Sequence, residues 1–291
     1  GARYTQLQMN AQAAISAMEL YEAFGETEYL SHGVSFARIL MACQASAVDP
    51  SFSIPLRGYF YENETHERIQ TYYHRSYEHA PIKAFAMLYR LAPEHEDAAR
   101  WKNSLELYRE YVALTSRTVP YGLLPNGIYE LDNTDFSTIT HEGARAAGAP
   151  SLEEYNAQVR NGIRLNDRFY LRVFPVAYQF RGFHATLMGR ALAAMELARA
   201  LNDREIKQVA VRQMEWILGC NPFAVSSMYG EGHDYHPLYA PMSPQLVGAV
   251  PVGFETFENE DQPFYPMQNN AAYKEVWVHT TCRMMWLIAM L

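Results

Sequence analysis

Residues 180–223 read FRGFHATLMGRALAAMELARALNDREIKQVAVRQMEWILGCNPF. Apolar side chains recur every three or four positions on both sides of a central break, which is the period of an amphipathic helix. They are Leu187, Ala191, Ala194, Ala198 and Leu201 before the break, and Ile206, Ala210, Met214 and Ile217 after it. Asn202 or Asp203 can cap the second helix, and Gly219 and Pro222 end it. The stretch is therefore predicted to form a helical hairpin.

The same pattern occurs twice upstream. One hairpin has Leu7, Ala11, Ala14, Met18 and Tyr21, then Gly25, then Leu30, Val34, Ala37 and Met41; the other has Ile82, Phe85 and Tyr89, then Pro93, then Ala98, Trp101, Leu105, Tyr108 and Val112. A short helix is predicted from Leu152 to Val159, and a closing helix from about Ala272 to the end. The apolar face of the closing helix is predicted to carry Val278, Cys282, Met285 and Ala289. Alternating strand patterns are nearly absent.

Long connections rich in Pro, Gly and Tyr separate these helices. They span residues 46–72, 116–150, 162–183 and 219–268. Connections of this length within a compact domain usually carry function. Repeated hairpins with elaborated loops predict an all-α fold, an (α/α)6 toroid in which inner helices form a wall and loops at one end form a cleft. The sequence predicts about eight helices, whereas six hairpins require twelve. We therefore expect residues 1–291 to be one catalytic-type domain, incomplete at its N-terminal side.

Composition narrows the function. Net charge is -8 without a long acidic run, which disfavours nucleic acid as a partner. No apolar run approaches the roughly 20 residues of a membrane helix, so no membrane partner is expected. The three cysteines are scattered and show no metal-ligand spacing, and no cofactor or metal is predicted. Among the aromatic residues are 21 tyrosines, whose flat faces and polar tips suit sugar rings, although a large core would also use them.

Three stretches in order carry a resemblance to a known family. The hairpin stretch 180–223 is followed by SSMYGEG at 226–232 and by NNAAYKEVWVH at 269–279. Together they resemble the C-terminal half of glycoside hydrolase family 9, and more narrowly its bacterial branch, in which an immunoglobulin-like domain often precedes the toroid. The resemblance implies a carbohydrate partner, hydrolysis of β-glycosidic bonds with inversion, and such a domain upstream. It also fits a secreted or periplasmic location better than a cytoplasmic one.

The resemblance places the catalytic proton donor at Glu275, because KEV occupies the position of the family's acid-bearing NEV sequence. Residue chemistry agrees, since a carboxyl between Tyr273 and Trp277 near a helix start can be partly desolvated and so stay protonated. The alternative is a glutamate that stabilises a helix N-terminus. His279 and Arg283 follow by four and eight residues. They are expected to share the helix face of Glu275, either to tune the acid or as packing.

Two loops are predicted to contact sugar. In the family the loop after LGxNP lines the cleft, which implies substrate contacts for Tyr229, Glu231, His233, Asp234, Tyr235 and His236. The family's cellulases usually carry His-His-Arg here, whereas this chain has HDYHPLYAP, which argues against ordinary cellulose cleavage. The second loop is YYHRSYEHAP at 72–81, with Tyr73, His74, Arg75 and His79 as candidates. The guanidinium of Arg75 could donate two parallel hydrogen bonds to a sugar carboxylate. The alternatives are a loop that satisfies its own backbone and an exposed mixed-charge loop.

The family's water-activating Asp-Ala-Gly-Asp sequence does not occur in this chain. Either the chain is a fragment and the base lies upstream of Gly1, as we expect, or it is a degenerate relative that binds without cleaving. Asp234 and Asp261 remain possible replacements. A polysaccharide lyase on a similar toroid, a non-catalytic carbohydrate-binding protein and a helical-repeat interaction protein are the other functions left open.

Overall fold

Helices dominate the part of the chain that the computed structural model describes, which is residues 5–72, 77–133, 151–176, 182–239, 245–257, 260–265 and 271–291. Within those ranges the α-helices are α1 Gln6–Phe24, α2 Thr27–Ala42, α3 Ala80–Leu91, α4 Ala98–Thr118, α5 Leu152–Arg160, α6 His184–Leu201, α7 Arg204–Ile217, α8 Ala271–Lys274 and α9 Val278–Ala289, and a 3-10 helix spans Pro120–Gly122. The three predicted hairpins are α1–α2, α3–α4 and α6–α7. All three are confirmed, as is the short helix α5.

Local sequence sets the turns of these hairpins. Thr5 and Gln8 form a capping box at the start of α1, and Gly25 ends that helix in the left-handed conformation at φ 74°. At the α6–α7 hairpin both predicted cap residues are used. Asn202 ends α6 at φ 52°, and the carboxylate of Asp203 accepts hydrogen bonds from the first backbone N–H groups of α7. These are the ordinary ways of satisfying backbone groups that a helix end leaves unpaired.

The helices lie in two rows. α1, α3, α6 and α9 pack side by side in an inner row, while α2, α4 and α7 form an outer row that packs mainly against α1, α3 and α6 respectively. α6 lies in the middle of the inner row and is buried on almost all sides, from His184 to Ala198. The all-α prediction is confirmed, and the two rows have the arrangement of an (α/α)6 toroid. The expected incompleteness at the N-terminal side stays a prediction.

A small sheet lies among the long connections. β1 Gly127–Glu130, β3 Phe169–Arg172 and β2 Ile163–Arg164 pair antiparallel in that order, and β4 Glu255–Thr256 pairs with β5 Pro263–Phe264. All four residues of β1 are buried, so neither of its faces lies in solvent. A strand that is buried on both sides has no alternating pattern. The sequence pattern therefore did not predict β1.

The C-terminal prediction was wrong in two respects. The closing helix is broken, because α8 ends at Lys274 and residues 275–277 are extended before α9 begins. The predicted apolar face is also the exposed one: Val278 is 81% and Met285 62% exposed, and Cys282 and Ala289 face solvent as well. The buried side of α9 carries Thr280, Arg283, Met284 and Leu287. Apolar residues occur on all sides of α9, so spacing alone did not identify the core face.

No helix in the described ranges is long and apolar enough to cross a membrane.

Candidate functional site

A segment outside the helices, residues 248–254, connects the N-terminal ends of two inner helices through hydrogen bonds; we call it the strap. On one side the backbone N–H groups of Phe183 and His184 donate to Phe254 and Val252 of the strap, at 2.8 and 3.0 Å. On the other side Val252 N donates to the carbonyl of Glu275 at 3.0 Å. The start of α6 and the approach to α9 are therefore held in one backbone network.

The strap lies unusually close to α6. A Cβ added to Gly253 would lie 2.1 Å from Cγ of His184, and Gly253 has φ +92°. A Cβ on Gly182 would lie 2.2 Å from the carbonyl oxygen of Gly253. Only glycine fits both the contact and the left-handed backbone at position 253. The two glycines thus fix the distance between the strap and the inner row.

Glu275 lies on the extended residues between α8 and α9, and its side chain is half-buried. The indole Nε1 of Trp277 donates to Glu275 Oε2 at 2.6 Å. The carboxyl therefore has a fixed orientation beside an aromatic ring. Because Glu275 lies outside α9, the expectation that it shares a helix face with His279 and Arg283 is wrong. His279 instead packs its ring 4.9 Å from that of Trp277.

The loop of residues 226–236 is attached to the other edge of the strap. Tyr229 N donates to Ala249 O at 3.0 Å, and Gly248 N donates to Tyr229 O at 2.9 Å. The loop closes on itself at Ser226, which binds the backbone of Asp234 and His236 at 2.9 and 2.7 Å. The strap thus connects the loop to Glu275, because it hydrogen-bonds to Tyr229 on one side and to the backbone of Glu275 on the other.

The side chains of this loop divide into two groups. Glu231, His233 and Asp234 are exposed, and Tyr235 packs edge-on against Tyr229 with ring centroids 5.1 Å apart. The loop therefore presents polar side chains to solvent beside one aromatic pair. His236 does not belong to this exposed group, because it is fully buried.

His236 lies in an aromatic cluster under the loop. Its ring contacts Tyr265 at 4.9 Å and Phe254 at 6.1 Å between centroids. Burial lowers its pKa to about 4, against the opposing effect of the Pro237 carbonyl. His184 packs on the other side of Phe254, and burial lowers its pKa to about 3. Both imidazoles are neutral members of the core at pH 7.

The second predicted loop is described only in part. Tyr73, His74 and Arg75 lie outside the described residues. His79 is buried, its ring meets Trp286 edge-on at 5.1 Å, and burial lowers its pKa to about 3. Arg283 is buried as well; it donates to the Ala185 carbonyl and lies 5.7 Å over the ring of Tyr77. His79 is therefore placed inside the wall of inner helices.

Sequence reasoning missed Glu78, which immediately precedes His79. Burial raises the pKa of this carboxyl to about 8, although the Arg190 and Arg283 guanidiniums act in the opposite direction. A carboxyl placed just before the apolar helix α3 was the available signal. The sequence analysis selected the tyrosine, histidine and arginine side chains of this loop instead of Glu78.

The sequence left two aspartates, Asp234 and Asp261, as candidates for the catalytic base. Asp261 accepts hydrogen bonds from the backbone N–H groups of Val173 and Phe174, both at 2.9 Å, and lies 3.6 Å from a guanidinium nitrogen of buried Arg172. Its oxygens are occupied in holding the end of β3. Asp234 is exposed on the 226–236 loop. Across the described ranges, no cluster of three His, Cys, Asp or Glu side chains is arranged to hold a metal ion.

Comparisons with known proteins give similarity at the level of solved structures. No protein-family profile matches the chain, and no curated protein matches it. It is similar to the cellulase Cel9M of C. cellulolyticum, with 13% identity, 98% of this chain and 63% of that chain covered, and a TM-score of 0.36. It is also similar to the endoglucanase CelQ from Clostridium thermocellum complexed with cellobiose and cellotriose, with 15% identity, coverage of 97% and 47%, and a TM-score of 0.37.

A metagenome-derived glycoside hydrolase family 9 endoglucanase gives 13% identity, coverage of 98% and 68%, and a TM-score of 0.32. The chain thus spans less than two thirds of the length of Cel9M and about half that of CelQ.

Proposed function

We propose that the chain is part of a glycoside hydrolase that cleaves a β-linked oligo- or polysaccharide with inversion, and that Glu275 is its proton donor. The observation that carries this proposal is the setting of Glu275. Its carboxyl is oriented by the Trp277 indole at 2.6 Å and is tied through the strap to the loop that carries Tyr229 and Tyr235. A positioned carboxylic acid beside an aromatic surface is what leaving-group protonation on a sugar requires.

The sugar contacts in this proposal come from the 226–236 loop. Tyr229 and Tyr235 provide aromatic faces, while Glu231, His233 and Asp234 provide hydrogen-bonding groups. His279 lies beside Trp277 and completes the surroundings of the acid. We infer a soluble oligosaccharide, with amino or acidic groups, rather than crystalline cellulose. The charged and titratable side chains of this loop support that inference, because they match polar substituents better than an unsubstituted glucan.

An inverting mechanism needs a second carboxylate roughly 6.5–9.5 Å from the acid, with a water between them. Asp261 is engaged in holding β3, which argues against it as the base. Asp234, exposed on the 226–236 loop, remains the alternative within this chain, and we infer that a residue outside this chain supplies the base. The absence of an Asp-Ala-Gly-Asp sequence favours a second function for the chain by itself, namely carbohydrate binding without cleavage.

The test compares Glu275→Gln with the unsubstituted enzyme in a longer protein that contains this chain and an upstream aspartate. Loss of the proton donor is expected to slow hydrolysis of an unactivated oligosaccharide by about 10²- to 10⁴-fold. A dinitrophenyl glycoside should be spared, because its leaving group departs without protonation. Glu106→Gln, on the outer helix α4, is the matched control and should leave both rates unchanged.

If the Glu275→Gln variant hydrolyses the unactivated oligosaccharide as fast as the unsubstituted enzyme does, Glu275 is not the proton donor. An unsaturated product absorbing in the ultraviolet would instead identify a lyase. Turnover by residues 1–291 alone would place the base inside this chain.

A further inference from the structure

A strained turn presents one aromatic ring to solvent. The 3-10 helix Pro120–Gly122 follows α4, and Tyr121 at its centre has left-handed backbone angles, φ 65° and ψ 2°. Glycine and asparagine adopt this conformation readily, whereas a bulky side chain does so only at a cost. Tyr121 is nevertheless 49% exposed. Burial alone therefore does not account for a tyrosine at this strained position.

A fully buried side chain holds the turn in place. The Oε1 atom of Gln213 on α7 accepts a hydrogen bond from the backbone N–H of Leu124 at 2.9 Å, and its Nε2 atom donates to the carbonyl of Gly122 at 3.1 Å. The same Nε2 atom donates to the carbonyl of Val209 at 2.9 Å, which anchors the amide to its own helix. The backbone that follows Tyr121 is therefore fixed to α7.

Two core rings support the Tyr121 ring from the inside. Its centroid lies 5.3 Å from that of Trp216 and 6.4 Å from that of Phe174, with interplanar angles of 57° and 50°. Both supporting rings are fully buried. Tilted contacts of this kind are favourable and fix the orientation of a ring. Tyr121 is thus held by the core on one side, while half of its side chain stays in solvent.

The supporting rings connect Tyr121 to the loop proposed to bind substrate. Trp216 packs edge-on against Phe254 of the strap, with 6.5 Å between centroids. Phe254 in turn lies 6.1 Å from His236, in the aromatic cluster under the 226–236 loop. The Tyr121 ring is therefore an exposed end of the cluster on which this loop rests, and two ring contacts separate it from the strap.

The shape of the exposed group selects the ligand. A phenol ring offers a flat apolar face with a polar tip, and a pyranose ring is a match for it, because C–H groups cover its faces and hydroxyls lie around its rim. A stable interface with another protein buries about 800 Å² on each partner, which is far more than one half-exposed ring supplies.

We infer that Tyr121 is a stacking platform for one sugar ring of the substrate, at a subsite separate from the proton donor Glu275. This inference rests on the proposed function, from which it takes the class of ligand. It gives a reason for the strained backbone, because strain that is retained at an exposed side chain is characteristic of residues that contact a ligand. It also assigns substrate contact to the connection after α4.

The first test is calorimetric titration of residues 1–291 with three β-1,4-linked hexasaccharides: cellohexaose, the glucosamine hexamer and the mannuronate hexamer. Tyr121→Asn should weaken binding of any hexasaccharide that the parent chain binds by about 10-fold or more, because it removes the ring. Asparagine tolerates the left-handed backbone, so this variant is expected to fold, and thermal unfolding checks that it does. Tyr121→Phe keeps the ring and should bind within about 2-fold of the parent chain.

Phe24→Asn is the matched control, since Phe24 is an exposed ring at the end of α1. It should bind as the parent chain does. Parental affinity in folded Tyr121→Asn, or an equal loss in Tyr121→Phe, would overturn the platform and leave the proposed function standing. A parent chain that binds none of the three sugars would instead count against the proposed function, and the sugar platform would fail with it.

The second test needs no variant. In a crystal of residues 1–291 soaked with the hexasaccharide that binds most tightly, we expect a pyranose ring within about 4.5 Å of the Tyr121 ring, on its solvent side. Hexasaccharide bound with the Tyr121 ring left in solvent would overturn the platform.

Discussion

At the scale of single residues, one glycine sets how closely the strap approaches the inner row. Gly253→Ala would place a methyl group 2.1 Å from the His184 ring on a backbone at φ +92°. We expect it to lower the free energy of unfolding by more than about 2 kcal/mol, because steric overlap adds to backbone strain. Gly248→Ala is the matched control. It shares a positive φ of +83° but has no atom within 4 Å, so its cost should be only about 1 kcal/mol.

Urea unfolding of the two alanine variants measures both values. Equal destabilisation at the two positions would show that the contact with His184 contributes nothing beyond backbone strain.

Glu78 makes stability depend on pH in the direction opposite to most carboxyls. Its pKa is raised by burial to about 8, whereas an unfolded glutamate titrates near 4.5. Between these values the folded chain holds one more proton than the unfolded chain. The contribution of Glu78 to the free energy of unfolding is therefore complete below pH 4.5 and is lost as pH rises towards 8. The lost contribution is on the order of 4 kcal/mol.

Glu78→Gln removes that titration. Relative to the parent chain, the variant should therefore gain stability between pH 5 and pH 8.5, as measured by urea unfolding at both values. A stability difference that is the same at the two pH values would contradict the buried, neutral carboxyl.

At the scale of elements, the closing helix shows where periodicity misleads. Met284 on α9 is 1% exposed, whereas its neighbour Met285 is 62% exposed. Met284→Ala should cost about 2–5 kcal/mol of unfolding free energy, because it leaves a cavity in the core. Met285→Ala removes the same atoms from a solvent-facing position and should change stability by less than about 0.5 kcal/mol. Denaturant unfolding of both variants checks this, and a reversed order would restore the face that periodicity predicted.

At the scale of the whole molecule, three buried histidines are predicted to limit acid stability. Burial lowers the pKa of His79 and His184 to about 3 and that of His236 to about 4. Unfolded histidine titrates near 6.5, so below this pH the unfolded chain binds more protons. Stability is therefore full above pH 6.5 and falls as pH drops, by up to about 1.4 kcal/mol per pH unit for each ring.

We expect the urea midpoint to fall steeply between pH 6.5 and 4.5, with a loss on the order of 5 kcal/mol at pH 5. His79→Phe should reduce the slope by close to one proton, since phenylalanine can keep the edge-on contact with Trp286. An unchanged slope in this variant would mean that His79 is already protonated in the folded state.

Helix positions and caps were readable from the sequence because they depend on neighbours within a few residues. Thr5, Gly25 and Asp203 act on their own helix ends, and the hairpin periodicities predicted α1 to α4, α6 and α7 to within a few residues. The motif around Glu275 and the 226–236 loop was likewise visible as a local sequence pattern. Their roles in catalysis and binding stay predictions.

Tertiary structure alone decided which of these residues meet. His79 and His236 looked like surface ligands in the sequence, yet packing against Trp286 and Phe254 buries them. The break after Lys274 depends on the strap, about twenty residues earlier in the chain, which pairs with the backbone at Glu275. Glu78 comes within electrostatic range of Arg190 because α3 packs on α6, which lies more than a hundred residues further along the chain. Burial and charge pairing are set by such distant contacts, whereas helix periods and caps are set by adjacent residues.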